Sequence, residues 1–387
     1  MAKTKTAVVQ EGEALLEIPA QSITNPFHAE AFYNPFMRLN RSISVLVLQN
    51  ALPTLRGTNA LDGLSSLGAR GMRYALEAKG VSKITMVDAN PGATKLAKKN
   101  IRKNAKKLPK KVKLEVIQDD LNRALLASKE KYAFIELDPF GSPVFYLENS
   151  IRRCSNSSML SVTTTDLANL YGSRAPPCIR MYDAKPLKCQ FGHELALRIL
   201  IGRIARTAAM QDFSITPMLS FYHRHYAKTF VKLERGAFAA DESLKQNIGF
   251  VSLCPKCLHA VAAKLPEGIC TKCGSKMDYA GPLWIGKTVD VDFLAKCGKE
   301  NEKRNLEDKA EISKLFGLLQ QEAAGDFPPW FWDLHETAKA FKIALKAKVS
   351  DAIASLEKKG FHATKTHFSS VGIKTNADAR TVAEVLK

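Results

Sequence analysis

An acid, a proline and an aromatic ring stand in a row at Asp138-Pro139-Phe140-Gly141, directly after the apolar run Tyr132-Ala133-Phe134-Ile135-Glu136-Leu137. A run of that length reads as a buried strand, so its end delivers one carboxylate and one flat ring to the edge of a sheet, where open α/β sheets bind their ligands. The carboxylate can take a hydrogen bond or a proton, and the ring can stack on a planar partner. A second constellation is the pair of Cys-x-x-Cys motifs Cys254/Cys257 and Cys270/Cys273, separated by 12 residues. Each pair can present two thiolates from one tight knuckle, and four thiolates complete a tetrahedral Zn²⁺ site with no open position. The expected metal is therefore structural.

Other carboxylates fall at strand ends. Leu61 to Gly71, with Gly63, Gly68 and Gly71, runs from a strand through small residues into a helix. This first crossover either lets backbone approach a ligand closely or makes a plain tight turn. Asp88 ends the next strand about 20 residues on, the position from which a carboxylate reaches a ribose diol. Gln118-Asp119-Asp120-Leu121-Asn122 follows the third strand, where an acid can accept the exocyclic amine of an adenine or sit in a solvated turn.

The elements needed to position these groups are visible in outline. Strand-like runs at Ala60–Leu64, Ile84–Asp88, Leu114–Gln118, Phe134–Asp138 and Met159–Thr163 alternate with helical stretches at 69–79 and 91–107, predicting an α/β, doubly wound parallel sheet. A helix over 39–52 precedes the sheet. Two candidate strands, Ser214–Phe221 and Tyr226–Leu233, follow it, and helical patterns cover 300–323, 333–345 and 348–360.

The 387 residues suggest two or three domains. We divide them as a catalytic domain over 1–235, a cysteine-ribbon segment over 236–290 and a smaller α+β C-terminal domain over 291–387. Lys+Arg of 57 against Asp+Glu of 38 gives a net charge of +19, which favours a polyanionic partner. Ten of those cations lie between Lys95 and Lys113, as either a solvated helix face or a stripe that tracks phosphates. Scattered Cys154, Cys178, Cys189 and Cys297 fit a reducing compartment. With no signal-peptide core and no apolar run of membrane-spanning length, a cytoplasmic protein with no membrane partner is expected. No obligate protein partner is evident.

Asp138-Pro139-Phe140 resembles the (Asp/Asn)-Pro-Pro-(Tyr/Phe) element of S-adenosylmethionine-dependent enzymes that methylate exocyclic amino groups of nucleobases, with one proline where those have two. The likeness extends along the chain. Phe32-Tyr33-Asn34-Pro35 with Leu39-Asn40-Arg41, Thr163-Thr164-Thr165-Asp166 with Tyr171-Gly172, Gly281-Pro282-Leu283-Trp284, Pro328-Pro329-Trp330 with Asp333-Leu334-His335, and Gly372-Ile373-Lys374-Thr375-Asn376 are similar to signatures of the tRNA guanine-26 N2-dimethyltransferase family.

That resemblance implies a Rossmann-like class I methyltransferase sheet, S-adenosyl-L-methionine as cofactor and tRNA as partner. By matching position it implies cofactor contacts from Arg41, Arg70, Asp88, Asp120 and Leu121, where the family usually has Ala in place of Leu121. Asp138, Pro139 and Phe140 then become the catalytic element, with the base extruded into the pocket and Phe27 or Phe32 as the opposite stacking wall. Two other readings of the residues are a methyltransferase acting on ribosomal RNA guanine N2 or DNA adenine N6, and a non-catalytic zinc-ribbon RNA-binding protein.

Overall fold

The computed structural model describes residues 5–26 and 29–387. By contacts the described residues divide into two compact units, one of 5–26, 29–163, 230–235 and 295–314, the other of 164–229, 236–294 and 315–387.

The first unit opens with a hairpin, β1 (Thr6–Glu11) and β2 (Ala14–Pro19), which the sequence pattern did not reveal. Helix α1 (Arg38–Ala51) comes next and buries most of its residues. The alternation then runs β3 (Asn59–Gly63), α2 (Ala69–Glu77), β4 (Lys83–Asp88), α3 (Pro91–Asn104), β5 (Lys113–Gln118), α4 (Leu121–Ala127), β6 (Tyr132–Leu137), α5 (Val144–Arg152) and β7 (Cys154–Thr164). These strands pair in parallel, β5 with β4, β4 with β3, β3 with β6 and β6 with β7. All five expected strands are present. β6 is buried along its whole length, so the polar residue that follows it, Asp138, is delivered to the carboxyl edge of the sheet.

Two side chains on α3 fasten the hairpin. Asn100 Oδ1 accepts the Glu17 N–H at 2.7 Å and Asn104 Oδ1 accepts the Leu15 N–H at 2.9 Å. Their amide nitrogens return hydrogen bonds to the Glu17 and Leu15 carbonyls at 3.3 and 2.7 Å. The two asparagines, four apart on one helix face, thus satisfy backbone groups of β2 that no neighbouring strand takes up. Ala14, Leu16 and Ile18 then close over Met72, Ala93 and Leu96.

Beside this core lies an ion cluster. Glu11, fully buried, receives Arg41 at 2.5–2.6 Å, Arg73 at 3.2 Å and the Tyr33 hydroxyl at 2.8 Å. Burial pushes the Glu11 carboxyl up, but the two guanidinium groups outweigh it and hold the acid at about 2. Arg73 also donates to Glu77, whose carboxylate stands 3.8 Å from Arg304. Arg304 follows α10 (Val291–Lys303), and α11 (Lys309–Ala324) begins just beyond it. The expected single helix over 300–323 is broken here, because Asp308 turns in to meet Arg38 and Ser42.

In the second unit, α6 (Leu167–Leu170), α7 (Ala175–Tyr182) and the long buried α8 (Gly192–Ala209) precede β8 (Phe213–His223). β9 (Tyr226–Arg235) follows after the two-residue turn Arg224–His225, a link that only antiparallel strands can use. The strand order of the large sheet is β5-β4-β3-β6-β7-β9-β8, which gives the mostly parallel α/β fold that was expected. Past α9 (Ala237–Asn247), the strands β10 (Ile248–Leu253), β11 (Ala260–Ala263) and β12 (Asp278–Trp284) form a three-stranded sheet of order β11-β10-β12 that carries the cysteines. Among the described residues no helix is long and apolar enough to cross a membrane.

Replacing Glu11 by Ala leaves Arg41 and Arg73 buried without their shared anion, and truncating one partner of a buried pair costs about 3–5 kcal/mol. Urea unfolding at pH 7 should register a loss of that size, and it should shrink as pH falls from about 4.5 toward 2, where the native carboxylate is itself protonated. A loss below about 1 kcal/mol would mean the cluster does not hold the hairpin to α1 and α2.

Candidate active site

Asp138 follows β6 at the sheet's carboxyl edge with its side chain 20% exposed. Its carboxylate is ion-paired with Arg70, whose own side chain is buried at the start of α2. Nη1 of the same guanidinium donates to Asn40 Oδ1 at 2.9 Å and Ser44 Oγ at 2.8 Å on α1, and it lies 3.6 Å from Glu136 Oε1. The Tyr74 hydroxyl, on α2, donates to Glu136 Oε2 at 2.8 Å. One cation therefore joins α1, α2 and β6 beneath the partly exposed acid.

Asp62 completes the group from β3, accepting the Gly71 N–H at 2.9 Å. Its burial is the main cause that raises its carboxyl to about 7. Glu136 and Asp138 add to the rise, while Arg70 and the Gly71 N–H oppose it. One guanidinium faces three carboxylates, so Asp62, which is buried, holds its proton up to about neutrality.

Beside the acid, Phe140 is 68% exposed and meets Phe32 edge-on, with ring centroids 4.6 Å apart and planes at 84°. Pro139 between them is buried. Phe27 lies outside the described residues.

The neighbouring rim is shaped by Asp88 at the end of β4. Its Oδ2 accepts the Ser66 N–H at 2.7 Å and its Oδ1 the Asn90 N–H at 2.9 Å. Leu64 and Ser66 both have positive φ, 63° and 48°, a conformation that costs non-glycine residues of order 1 kcal/mol or more each and gathers at ligand-binding turns. The Asp88 carboxylate offsets that strain by satisfying the donor that the turn exposes. Asp120 is exposed and caps α4, accepting the Arg123 N–H at 3.1 Å. Leu121 is buried against Gly63, where any added Cβ would come within 2.9 Å of the Leu121 side chain and 3.1 Å of the Glu136 carbonyl. Burial raises the Tyr146 hydroxyl, with Asp120 and Asp88 as further causes, so both acids act on one phenol.

The four cysteines sit in two knuckles. The Leu258 N–H reaches the Cys254 carbonyl and the Gly274 N–H the Cys270 carbonyl, each at 2.9 Å, and Leu258 and Gly274 both have positive φ. All four Sγ atoms lie within 4.8 Å of one another, with Cys254–Cys273 and Cys257–Cys270 at 3.5 Å. A tetrahedron with metal–sulfur bonds of about 2.3 Å needs sulfurs about 3.8 Å apart, so the set fits one metal ion. Apart from Met277, little apolar core supports this corner.

The structure thus brings Asp138, Pro139, Phe140 and Phe32 together, sets Asp88 and Asp120 within range of Tyr146, and leaves Leu121 against the end of β3. Arg41 and Arg70 are buried and committed to carboxylates, Arg41 to Glu11 and Arg70 to Asp138 and Glu136. Sequence reasoning missed Glu136, Asp62, Tyr74, Ser44 and Tyr146. Glu136 alone carried a signal: an acid inside an otherwise apolar buried strand must find a cation.

A mostly parallel doubly wound sheet, with carboxylates at the carboxyl ends of β4 and β6 and at the start of α4, is the architecture of an enzyme that holds a nucleoside-type cofactor along its sheet edge. The N2,N2-dimethylguanosine tRNA methyltransferase family profile matches residues 12–387. A tRNA (guanine(26)-N(2))-dimethyltransferase from Methanobrevibacter smithii is 36% identical over 100% of this chain and 98% of its own. One from Pyrococcus horikoshii is 37% identical over 98% and 97%. The solved structure of Trm1 from Pyrococcus horikoshii with S-adenosyl-L-methionine superimposes with a TM-score of 0.87 at 35% identity, covering 98% of this chain and 100% of that one. The chain belongs to the N2,N2-dimethylguanosine tRNA methyltransferase family.

Unfolded, Asp62 loses its proton near its ordinary 3.8; folded, it keeps it to about 7. The native state therefore binds more protons across that interval, and this residue's contribution to stability falls as pH rises through it. Asp62→Asn retains an acceptor for the Gly71 N–H without the ionisation. Relative to the parent, it should gain roughly 2–4 kcal/mol in urea unfolding between pH 4.5 and 7.5. Parallel pH profiles of the two proteins would show that Asp62 is ionised throughout.

Proposed function

We propose that this chain transfers methyl groups from S-adenosyl-L-methionine to the exocyclic N2 of guanine 26 in tRNA, with Asp138 as the group that receives the proton. The observation that carries this reading is the partly exposed Asp138 carboxylate, fixed by a buried arginine beside an exposed aromatic ring on the sheet edge.

Guanine N2 is a weak nucleophile because its lone pair is delocalised into the ring. The Asp138 carboxylate would accept the N1–H and N2–H edge of the base, drawing charge toward nitrogen, and take the proton released when the N–C bond forms. The Pro139 carbonyl would accept the second N2 hydrogen. Phe140 would stack on the extruded base, an interaction of about 1–3 kcal/mol, with Phe32 behind it as a wall. Arg70, held by Asn40 and Ser44, keeps the Asp138 carboxylate from turning away.

S-adenosyl-L-methionine, when bound, supplies an electrophilic sulfonium methyl. Asp88 would hold its ribose, and Asp120 with the backbone of Leu121 its adenine. Arg41 and Arg70 would contribute positive charge from beneath the rim, and much of the acceleration would come from alignment. We assign the cysteine set to structural Zn²⁺, which stabilises a segment with little core by roughly 10 kcal/mol. Residues 291–387 are assigned to tRNA binding.

Asp138→Asn preserves shape and should lower kcat by about 10²–10⁴-fold while leaving tRNA affinity within a few-fold. Nucleoside mass spectrometry of a tRNA transcript reads both the loss and the modified position. Near-parental turnover would remove Asp138 from the chemistry, and methylation of an adenine would move the enzyme to another substrate class.

Elemental analysis should find one zinc per chain, bound by Cys254, Cys257, Cys270 and Cys273. Removal by a chelator should lower the melting temperature and expose β10–β12 to proteolysis. A metal-free protein of unchanged melting temperature would overturn the zinc assignment.

A further inference from the structure

We infer that the outward face of α3 and the turn after it form a docking stripe for the phosphodiester backbone of the substrate tRNA, an inference that rests on the function proposed above. At about 100° per residue, Lys95, Lys98 and Arg102 fall within an arc of about 60°, and Lys106 follows in the next turn.

The orientation of this face is forced. Ala93, Leu96 and Ala97 are buried on the opposite side, and Asn100 and Asn104 are bonded to the backbone of β2, so the helix cannot roll. Lys99 and Lys103 lean toward the hairpin, where both approach Glu17, at 3.1 and 3.8 Å. Lys95, Lys98, Arg102 and Lys106 are exposed, and none has a carboxylate within ion-pair distance among the described residues. The acid on the neighbouring strand, Glu115, is taken by Lys83.

A solvated face that serves only solubility mixes signs and carries i,i+4 pairs of opposite charge. This one is cationic throughout. It begins five residues beyond Asn90, which is hydrogen-bonded to Asp88 on the ligand rim, and spans about 10 Å of helix axis from Lys95 to Arg102. An evenly charged row of that kind suits a polyanion whose charges repeat along a backbone, and releases counterions when one binds. Because no base-reading group accompanies it, the stripe would supply register and affinity rather than sequence choice.

The test compares two variants of the full chain. In one, Lys95, Lys98, Arg102 and Lys106 are all replaced by Gln; in the other, only the inward-leaning Lys99 and Lys103 are. A salt titration of binding to a tRNA transcript should show the stripe variant at least tenfold weaker at about 0.15 M salt, with the slope of log Kd against log salt lower by about 3. KM for tRNA should rise with kcat at saturating tRNA unchanged, and calorimetric affinity for S-adenosyl-L-methionine should equal the parent's. The Lys99/Lys103 variant should bind tRNA nearly as the parent does. Unchanged affinity and slope in the stripe variant, or equal weakening in both, overturns the stripe while the parent's methylation of guanine 26 leaves the function standing. A parent chain that fails to bind or methylate tRNA removes both.

Discussion

The Arg70 guanidinium is the fixed point on which the site is built. It is held on one side by Asn40 and Ser44 of α1 and faces Glu136 and Asp138 of the β6 segment on the other, while its own backbone opens α2. A cation so buried would be costly alone, and two carboxylates so close would repel. Each makes the other tolerable, and the arrangement leaves Asp138 with a defined direction. A carboxylate on an exposed loop would sample many rotamers, and each would lower the fraction of encounters in which a base edge met it correctly. Fixing the acid from below leaves its free edge for substrate.

The same device recurs one layer away with opposite balance. Around Arg70 the carboxylates outnumber the cation, and Asp62 is driven toward its neutral form. Around Glu11 two arginines share one acid, which is held ionised at about 2. Between them, α1 and α2 are tied at two points in their N-terminal halves: Arg41 and Arg73 through Glu11, and Arg70 by hydrogen bonds to Asn40 and Ser44. Buried charge networks of this kind add little net stability compared with apolar packing, but they penalise every alternative register of two helices, since a slip by one residue strands several charges at once. The gain is positional accuracy of α2, whose first turn carries Arg70.

The inner strands that position the site were legible because a parallel sheet buried on both faces writes itself as short apolar runs, and the edge strand β5, half exposed, by its place in the strand–helix alternation; all five overlap the expected segments. The hairpin β1–β2 was not, since its pattern is short, its first strand is half exposed, and what completes it is a pair of asparagine side chains 80 to 90 residues away. The helix expected over 300–323 contains no proline or glycine before Gly317, so no strong breaker announces the break at which Asp308 and Arg304 turn to distant partners. Asp138, Phe140 and the cysteine knuckles were legible because strand ends and Cys-x-x-Cys spacings are local signals. The buried partners of Asp138 were not, being drawn from α1, α2 and β3, elements whose meeting depends on tertiary packing. Glu136 is the instructive exception: its identity was visible, but the arginine it required could not be chosen among many.

A division of labour follows from what is rigid and what is exposed. The acid is anchored by a buried guanidinium, whereas Phe140 stands 68% exposed with the edge of Phe32 against it. An edge-on aromatic contact is worth about 0.5–1.5 kcal/mol, less than or comparable to stacking on a base, so a planar ligand can compete for the face of Phe140 without disturbing the carboxylate. Selectivity for a flat substrate and chemistry at its edge are thereby separated between two adjacent residues, and the intervening Pro139 limits how far the one can move relative to the other, because its ring fixes φ near −65°.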